Sequence, residues 1–262
     1  MSKMSNMAMT IEELRSAAAA INEAASWLAE QFSGTADKAP AKEPAAKEEK
    51  KPELKLENVR AVLSASSSDR WLHCPPSARL CETYEDKGSD YAAEGTDAHA
   101  LCEYKLKRAL GMDTSDPTEN LTWYNEEMED CANGYAAYIL EMVEAAKESC
   151  ADPKVLIEQR VDFSHWVEHG FGTVDCIIIA DGTLRICDYK HGLGVLVDAT
   201  DNPQMKCYAL GALELFDDIY DIDNVSMTIY QPRRQNISTF EISKDALYRW
   251  ADEVLKPTAD LA

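Results

Sequence analysis

Gly172-Thr-Val-Asp175-Cys-Ile-Ile-Ile-Ala180-Asp-Gly-Thr-Leu-Arg185-Ile-Cys-Asp188-Tyr-Lys190 is the stretch that decides the fold. Asp181-Gly182 separates two runs rich in β-branched residues, the strongest short signal for a hairpin with a two-residue turn. In that register opposed residues sum to 363, so Ala180 faces Thr183, Ile178 faces Arg185 and Asp175 faces Asp188. Strand alternation puts Asp175, Ile177 and Ile179 on one face, together with Leu184, Ile186, Asp188 and Lys190. One end of that face is aliphatic and reads as core; the other is Asp, Asp, Lys.

Two carboxylates directly opposed in a sheet repel, and partial burial among Ile and Leu raises the cost unless a cation lies between them. A hard divalent ion wants such a pair: Mg²⁺ takes one or two protein carboxylates, keeps waters and binds substrate phosphate oxygens. Two simpler outcomes stay open at this point. Either Lys190 alone serves as the neutralising partner in a structural ion cluster, or a bulge shifts the register.

Outward from the hairpin, Lys154–Phe163 reads as a strand, with Gly172–Ala180 and Thr183–Lys190 as the two that follow. Asp201 or Asn202 before Pro203 starts a helix to about Phe216, Val225–Gln231 is a strand, and Ser243–Leu255 a last helix. Before the strands, Ser89 or Asp90 caps a helix that stops near Gly111, and a second helix covers about 123–149. The order predicts an α/β sandwich with a mixed sheet flanked by helices.

Residues 1–33 hold an amphipathic helix opened by the capping-box pattern Thr10-Ile-Glu-Glu13, with Leu14, Ala18, Ile21, Ala25, Leu28 and Phe32 on one stripe. Residues 34–57 are rich in Ala, Lys, Glu and Pro and read as a disordered tether, leaving 58–262 as the globular domain. The helix either packs on its own domain or, detached, self-associates or docks on a partner protein.

The chain of 262 residues carries a net charge of −21, and residues 61–262, with 17 basic and 37 acidic side chains, account for −20 of it. A protein that coats nucleic acid by neutralising phosphates needs the opposite sign, so any nucleic-acid contact is expected to be local, salt-sensitive or helped by cations. No apolar run reaches the roughly 18 residues of a membrane span and no signal peptide is visible, so a cytoplasmic protein is expected. None of the eight cysteines is spaced as C-x-x-C, which argues for reduced thiols and against a zinc ribbon.

Two helical sets supply further candidates. Gln204 and Tyr208 share a face near the start of their helix, and Glu94-Gly-Thr-Asp-Ala-His99 lies in the first core helix with Glu103 one turn on. Taken alone these are ordinary helix residues.

Together, Gly95-x-x-x-His99, Gly172-x-x-Asp175, Asp188-Tyr-Lys190 and Gln204-x-x-x-Tyr208 resemble the successive motifs of the PD-(D/E)XK nucleases of the RecB type, which include CRISPR-associated RecB-like exonucleases. Leu63-Ser-Ala-Ser-Ser-Ser-Asp-Arg-Trp-Leu-His-Cys-Pro-Pro-Ser-Ala-Arg79, Tyr91-Ala-Ala-Glu-Gly-Thr and Gln231-Pro-Arg with Asn236-Ile-Ser are similar to a phage and prophage family of unknown function in that superfamily. The likeness covers roughly 62–262. It implies a restriction-endonuclease-like core and Mg²⁺- or Mn²⁺-dependent hydrolysis of DNA, by an exonuclease in recombination or DNA processing. It also implies that His99, Asp175, Asp188 and the Tyr189 carbonyl bind the metal. Lys190 then orients the attacking water and steadies the developing charge, with Gln204 and Tyr208 in support.

In such relatives the cysteine at position 74 joins three C-terminal cysteines on an iron–sulfur cluster. Here the last cysteine is Cys207, so no such cluster is expected in this chain. Arg79, Lys206, Arg233 and Arg234 are the candidate phosphate contacts. The alternative is a nuclease-fold protein that no longer cuts and serves as a DNA-binding or adaptor protein.

Overall fold

Four helices of this protein begin where a short polar side chain takes up a free backbone N–H, the role of an N-cap. Ser89 Oγ accepts from Ala92 N at 3.1 Å and opens Asp90–Ala109; Asn125 Oδ1 accepts from Met128 N at 2.9 Å and opens Glu126–Ala146. Asn202 Oδ1 accepts from Met205 N at 3.3 Å before Pro203–Phe216, and Ser243 Oγ from Ala246 N at 3.3 Å before Lys244–Trp250. The first of these helices stops where Gly111 adopts φ +72° and Met112 N–H reaches back to the Lys107 carbonyl at 2.9 Å.

The computed structural model describes residues 62–84, 88–180 and 182–262. The helix expected within 1–33 and the tether expected over 34–57 lie outside them. In chain order the elements are α1 (Ser68–His73), α2 (Ser77–Glu82), α3 (Asp90–Ala109), α4 (Glu126–Ala146), β1 (Lys154–Asp162), β2 (Phe171–Ala180) and β3 (Gly182–Tyr189). Then come α5 (Pro203–Phe216), β4 (Ile222–Gln231), β5 (Asn236–Ser243) and α6 (Lys244–Trp250), continued by a π-helical turn, Ala251–Leu255, and a last helical turn, Lys256–Ala259.

The five strands lie in the order β1-β2-β3-β4-β5, antiparallel except for the parallel pair β3 and β4, which α5 connects. Helices cover both faces. On one, Val161, Ile177, Ile179, Leu184, Ile186, Met227 and Ile229 pack with Leu210 and Leu213 of α5 and with Leu247, Ala251 and Leu255. On the other, Cys176, Ile178, Ala180, Cys187 and Tyr189 pack with Leu101, Tyr135 and Ile139 of α3 and α4. The mixed α/β sandwich expected from the sequence is therefore the observed architecture. Its elements α1, α2 and β5 were not foreseen. Among the described residues no helix is long and apolar enough to cross a membrane.

The hairpin register is the one the Asp-Gly arithmetic requires, with Ala180 opposite Thr183, Ile178 opposite Arg185 and Cys176 opposite Cys187. There the ladder ends, one pair short of Asp175 and Asp188. At the same level β1 has Ile157 opposite Cys176 and Gln159 opposite Val174, leaving Glu158, at φ +51°, across from Asp175. Both strands change faces at this step. Leu156 and Val161, an odd number of residues apart, belong to the same layer, as do Val174 and Ile177. A non-glycine residue held at positive φ inside a strand costs energy that its surroundings must offset, and such positions concentrate at functional sites.

Candidate metal and active site

The break in alternation is what builds the site. Lys190 N–H donates to the Tyr230 carbonyl of β4 at 2.9 Å, so the preceding N–H, that of Tyr189, points to the β2 side. No β2 carbonyl receives it; Asp175 Oδ2 does, at 2.6 Å. The Asp175 carboxylate thus takes the place of the next ladder bond instead of standing on the aliphatic face. Asp175 Oδ1 lies 3.2 Å from His99 Nδ1 on α3.

His99, Glu158 and Asp175 each bring one donor atom to within 4.8 Å of one another. They come from a helix and two neighbouring strands, so the fold and no local motif assembles them. Electrostatics follows from the crowding. Burial opposes the charge on His99, but the Asp175 carboxylate outweighs it and raises the imidazole to about 9. Burial followed by the Asp175 charge lifts Glu158 to about 7. Asp175 itself is disfavoured by burial, yet the His99 charge, the contact with it and the Tyr189 N–H hold it below the usual carboxylate range.

A second group adjoins the first. Asp188, 2% exposed, has Oδ2 at 2.7 Å from Lys190 Nζ, while Gln204 Nε2 donates to Oδ1 at 3.1 Å. The Lys190 ammonium holds Asp188 Oδ2 both by charge and as a hydrogen-bond donor. Gln204 Oε1 accepts from Lys190 Nζ at 3.2 Å and its Nε2 reaches the Tyr208 hydroxyl at 3.0 Å, which fixes the amide's orientation from both ends. Burial raises the Asp188 carboxyl; it also works against the Lys190 charge, but Asp188 outweighs it and the ammonium is held more tightly protonated than usual. The Asp188 charge acts on both Asp175 and His99, so the two groups are one electrostatic unit.

Tyr208 lies over Gly172, where a Cβ would stand 2.6 Å from the ring Cε1. Gly172→Ala is expected to push Tyr208 aside and cost about 1–3 kcal/mol, read as a lower melting temperature with the fold kept.

Of the residues singled out from the sequence, the structure places His99 and Asp175 in the candidate metal cluster and gathers Asp188, Lys190, Gln204 and Tyr208 beside it; Glu158, not Asp188, completes the donor set. Tyr189 adjoins them, its N–H on Asp175 and its ring edge-on to His99 at 5.5 Å between centroids. Glu158 was missed. The four basic candidates are placed differently. Lys206 is a correction: only 4% of its side chain is exposed, and its Nζ lies 2.6 Å from Asp201 and 4.8 Å from the Trp250 ring, so it is spent inside the protein. Arg233 is clamped between Glu94 at 3.0 Å and Glu127 at 3.2 Å. Arg79 donates to the Ala262 carbonyl at 3.2 Å, away from this group, and Arg234, exposed, donates to the Leu193 carbonyl at 3.2 Å. Sign alone selected all four, and sign does not reveal a partner.

Cys74 is exposed between α1 and α2, whereas Cys207 is buried in α5. They therefore sit in different environments, one at the surface and one in the core.

A family model described as "Protein of unknown function (DUF2800)" matches residues 60–262. A solved structure described as "Crystal structure of SSO0001" is similar over 60% of this chain and 83% of that one, at 14% identity and a TM-score of 0.23, a likeness too loose to carry an argument.

Proposed function

The chain belongs to the DUF2800 family, and from the site it carries we propose that it hydrolyses phosphodiester bonds of DNA with a divalent cation, on a core of the PD-(D/E)XK type and in the manner of a RecB-like phage exonuclease. The observation that carries this reading is the His99–Glu158–Asp175 cluster, its donor atoms within 4.8 Å of one another, beside the Asp188–Lys190–Gln204 group.

The donor set suits the ion. Glu158 and Asp175 oppose each other across two strands, an arrangement that repels unless a cation is present, and two carboxylates suit Mg²⁺ or Mn²⁺. The imidazole of His99 tilts the preference toward Mn²⁺. Asp188, held by Lys190 and Gln204, stands outside this trio and adds its negative charge to the site. Bound there, a divalent cation supplies Lewis-acid polarisation of a phosphate oxygen and hydroxide near neutral pH.

The protein's own groups do the rest. Lys190, held protonated by Asp188, is not the base; its ammonium is a fixed positive charge for the developing oxyanion. Gln204 fixes that ammonium and is itself fixed by Tyr208. The site therefore needs little rearrangement when charge builds up on the phosphate.

Ion binding requires His99 neutral and Glu158 ionised, so it releases protons. With these groups titrating at about 9 and about 7, apparent Mn²⁺ affinity is expected to climb about tenfold per pH unit between 7 and 9, more steeply below 7, and to level off above 9. Mn²⁺ titrations across that range, with proton release measured alongside, check the slope; a flat profile contradicts the assignment.

The reading is tested by incubating the protein with linear single- and double-stranded DNA in Mn²⁺, Mg²⁺ and a chelator. Degradation in the first two and none in the third is expected; none in any condition contradicts it. A second reading, an adaptor that keeps the fold without cutting, draws on one observation. Lys206 and Arg233 are already neutralised by Asp201, Glu94 and Glu127, which leaves few cations free for a strand.

A further inference from the structure

A cavity of about 540 Å³ lies between the start of α3 and the loop that follows Lys190. Its rim is apolar: the Tyr91 ring, 85% exposed on the first turn of α3, and Leu193 in the loop that follows Lys190. Its polar lining is Glu94, Arg233 and the buried His191. Glu94 Oε1 receives Arg233 Nη1 at 3.0 Å and lies 3.4 Å from His191 Nε2. His191 Nδ1 and the Tyr189 hydroxyl are 2.8 Å apart, and the Tyr189 ring meets His99 edge-on. The buried Tyr189 side chain thus links His191 of this cavity to His99 of the candidate metal cluster.

Charge decides what fits. Arg233 is matched by two carboxylates, Glu94 and Glu127, so the lining has no positive surplus to offer a phosphate. It does offer guanidinium donors, a carboxylate acceptor and an imidazole, in one cavity with an exposed aromatic ring. A nucleobase presents the complement: an uncharged planar face for an aromatic and an edge bearing donors and acceptors. Cavities of this size with an apolar rim and a few convergent polar groups are the usual form of a small-ligand site.

We propose that this cavity takes one unpaired nucleobase of the DNA strand whose backbone occupies the Lys190 site, stacked on Tyr91 and read at its edge by Arg233 and Glu94. The inference rests on the phosphodiesterase reading above and adds to it a demand for single-stranded character at one position of the substrate. Bases within a duplex keep their faces and edges occupied, so the strand must be unpaired there.

The test is a thermodynamic cycle on the full chain. A single-stranded DNA of roughly 12 nucleotides, within the span such sites contact, is bound in Ca²⁺ with one abasic position moved along it. Wild type, Tyr91→Ala and Tyr91→Phe are compared. Tyr91→Ala is expected to weaken binding of the intact strand about tenfold, the loss of one base–aromatic stack, and Tyr91→Phe to retain it. At one position the abasic strand loses the same factor with wild type and nothing more with Tyr91→Ala. Tyr91 is exposed, so its replacement leaves the fold intact. Losses that add at every position, or no loss with Tyr91→Ala, overturn the base site while wild-type cleavage in Mn²⁺ keeps the enzyme reading alive. A wild type that neither binds nor cleaves DNA overturns both.

Discussion

Replacing Lys190 by methionine is expected to slow DNA cleavage about 10²–10³-fold, the loss typical of a preorganised charge that serves the transition state, while Mn²⁺ binding persists. The reason lies in the geometry: Nζ sits 2.7 Å from Asp188 and 3.2 Å from Gln204, and neither contact is needed by His99, Glu158 or Asp175 to gather around an ion. The same variant is also expected to lose stability, because it strips the cation from a carboxylate that is 2% exposed. Breaking such a pair costs about 3 kcal/mol here, the low end of the usual range, since 27% of the Lys190 side chain remains in contact with water.

That deficit has a definite pH dependence. Burial already raises the Asp188 carboxyl, and without the ammonium it rises further. A carboxyl whose folded pKa exceeds its unfolded one weakens the fold as pH increases, so relative to wild type this part of the deficit is absent in acid, opens above the wild type's own raised Asp188 value and is complete once Asp188 ionises in the folded variant. Adding Asp188→Asn to Lys190→Met is expected to restore the melting temperature without restoring cleavage. Melting curves from pH 4 to 8 beside cleavage rates separate the structural from the chemical role. Recovery of both properties in the double variant contradicts the role given to Lys190.

Asp175→Asn carries the other large effect. Asp175 accepts the Tyr189 N–H, holds His99 in its charged form and belongs to the cluster that binds the ion. An asparagine keeps an acceptor for Tyr189 but no charge, so the fold is retained while Mn²⁺ affinity falls by more than the roughly 10–100-fold that outer partners of a metal cost. Without that carboxylate burial dominates His99, and its titration moves from about 9 to below the ordinary histidine value. NMR of the His99 ring checks this directly, and an unchanged titration rules out the pairing. Glu158→Gln, which leaves the His99–Asp175 contact in place, is expected to weaken Mn²⁺ without that shift.

How much of this was legible in the sequence depends on how local the signal is. Asp181-Gly182 sets a register by turn chemistry, so the pairs from Ala180–Thr183 to Cys176–Cys187 follow by counting. Counting fails at Asp175 because strand alternation assumes an unbroken pleat, and both β1 and β2 switch faces there. Glu158 was out of reach for a related reason. It meets Asp175 only through the β1–β2 register, and the connection over residues 163–170 has no turn signature to fix that register. Gln204 and Tyr208, four apart on a helix, were placed correctly on one face, and their hydrogen bond confirms it.

Short or edge elements escaped for want of a period. Each six-residue helix, α1 and α2, presents less than two turns, although Trp71 in α1 is fully buried with its indole N–H on the Ser64 carbonyl at 3.1 Å. β5 turns Asn236, Ser238, Phe240 and Ile242 to one side and Ile237, Thr239 and Glu241 to the other. Both sides mix polar and apolar residues, as befits an edge strand, so alternation is blurred.

The most direct measurement is the anomalous scattering of crystals of the full chain soaked in Mn²⁺. A single strong peak bonded to His99, Glu158 and Asp175, next to Lys190, is the expected result. Crystals that hold manganese only on surface carboxylates, or none at all with that trio intact, contradict the metal-dependent chemistry assigned to this site.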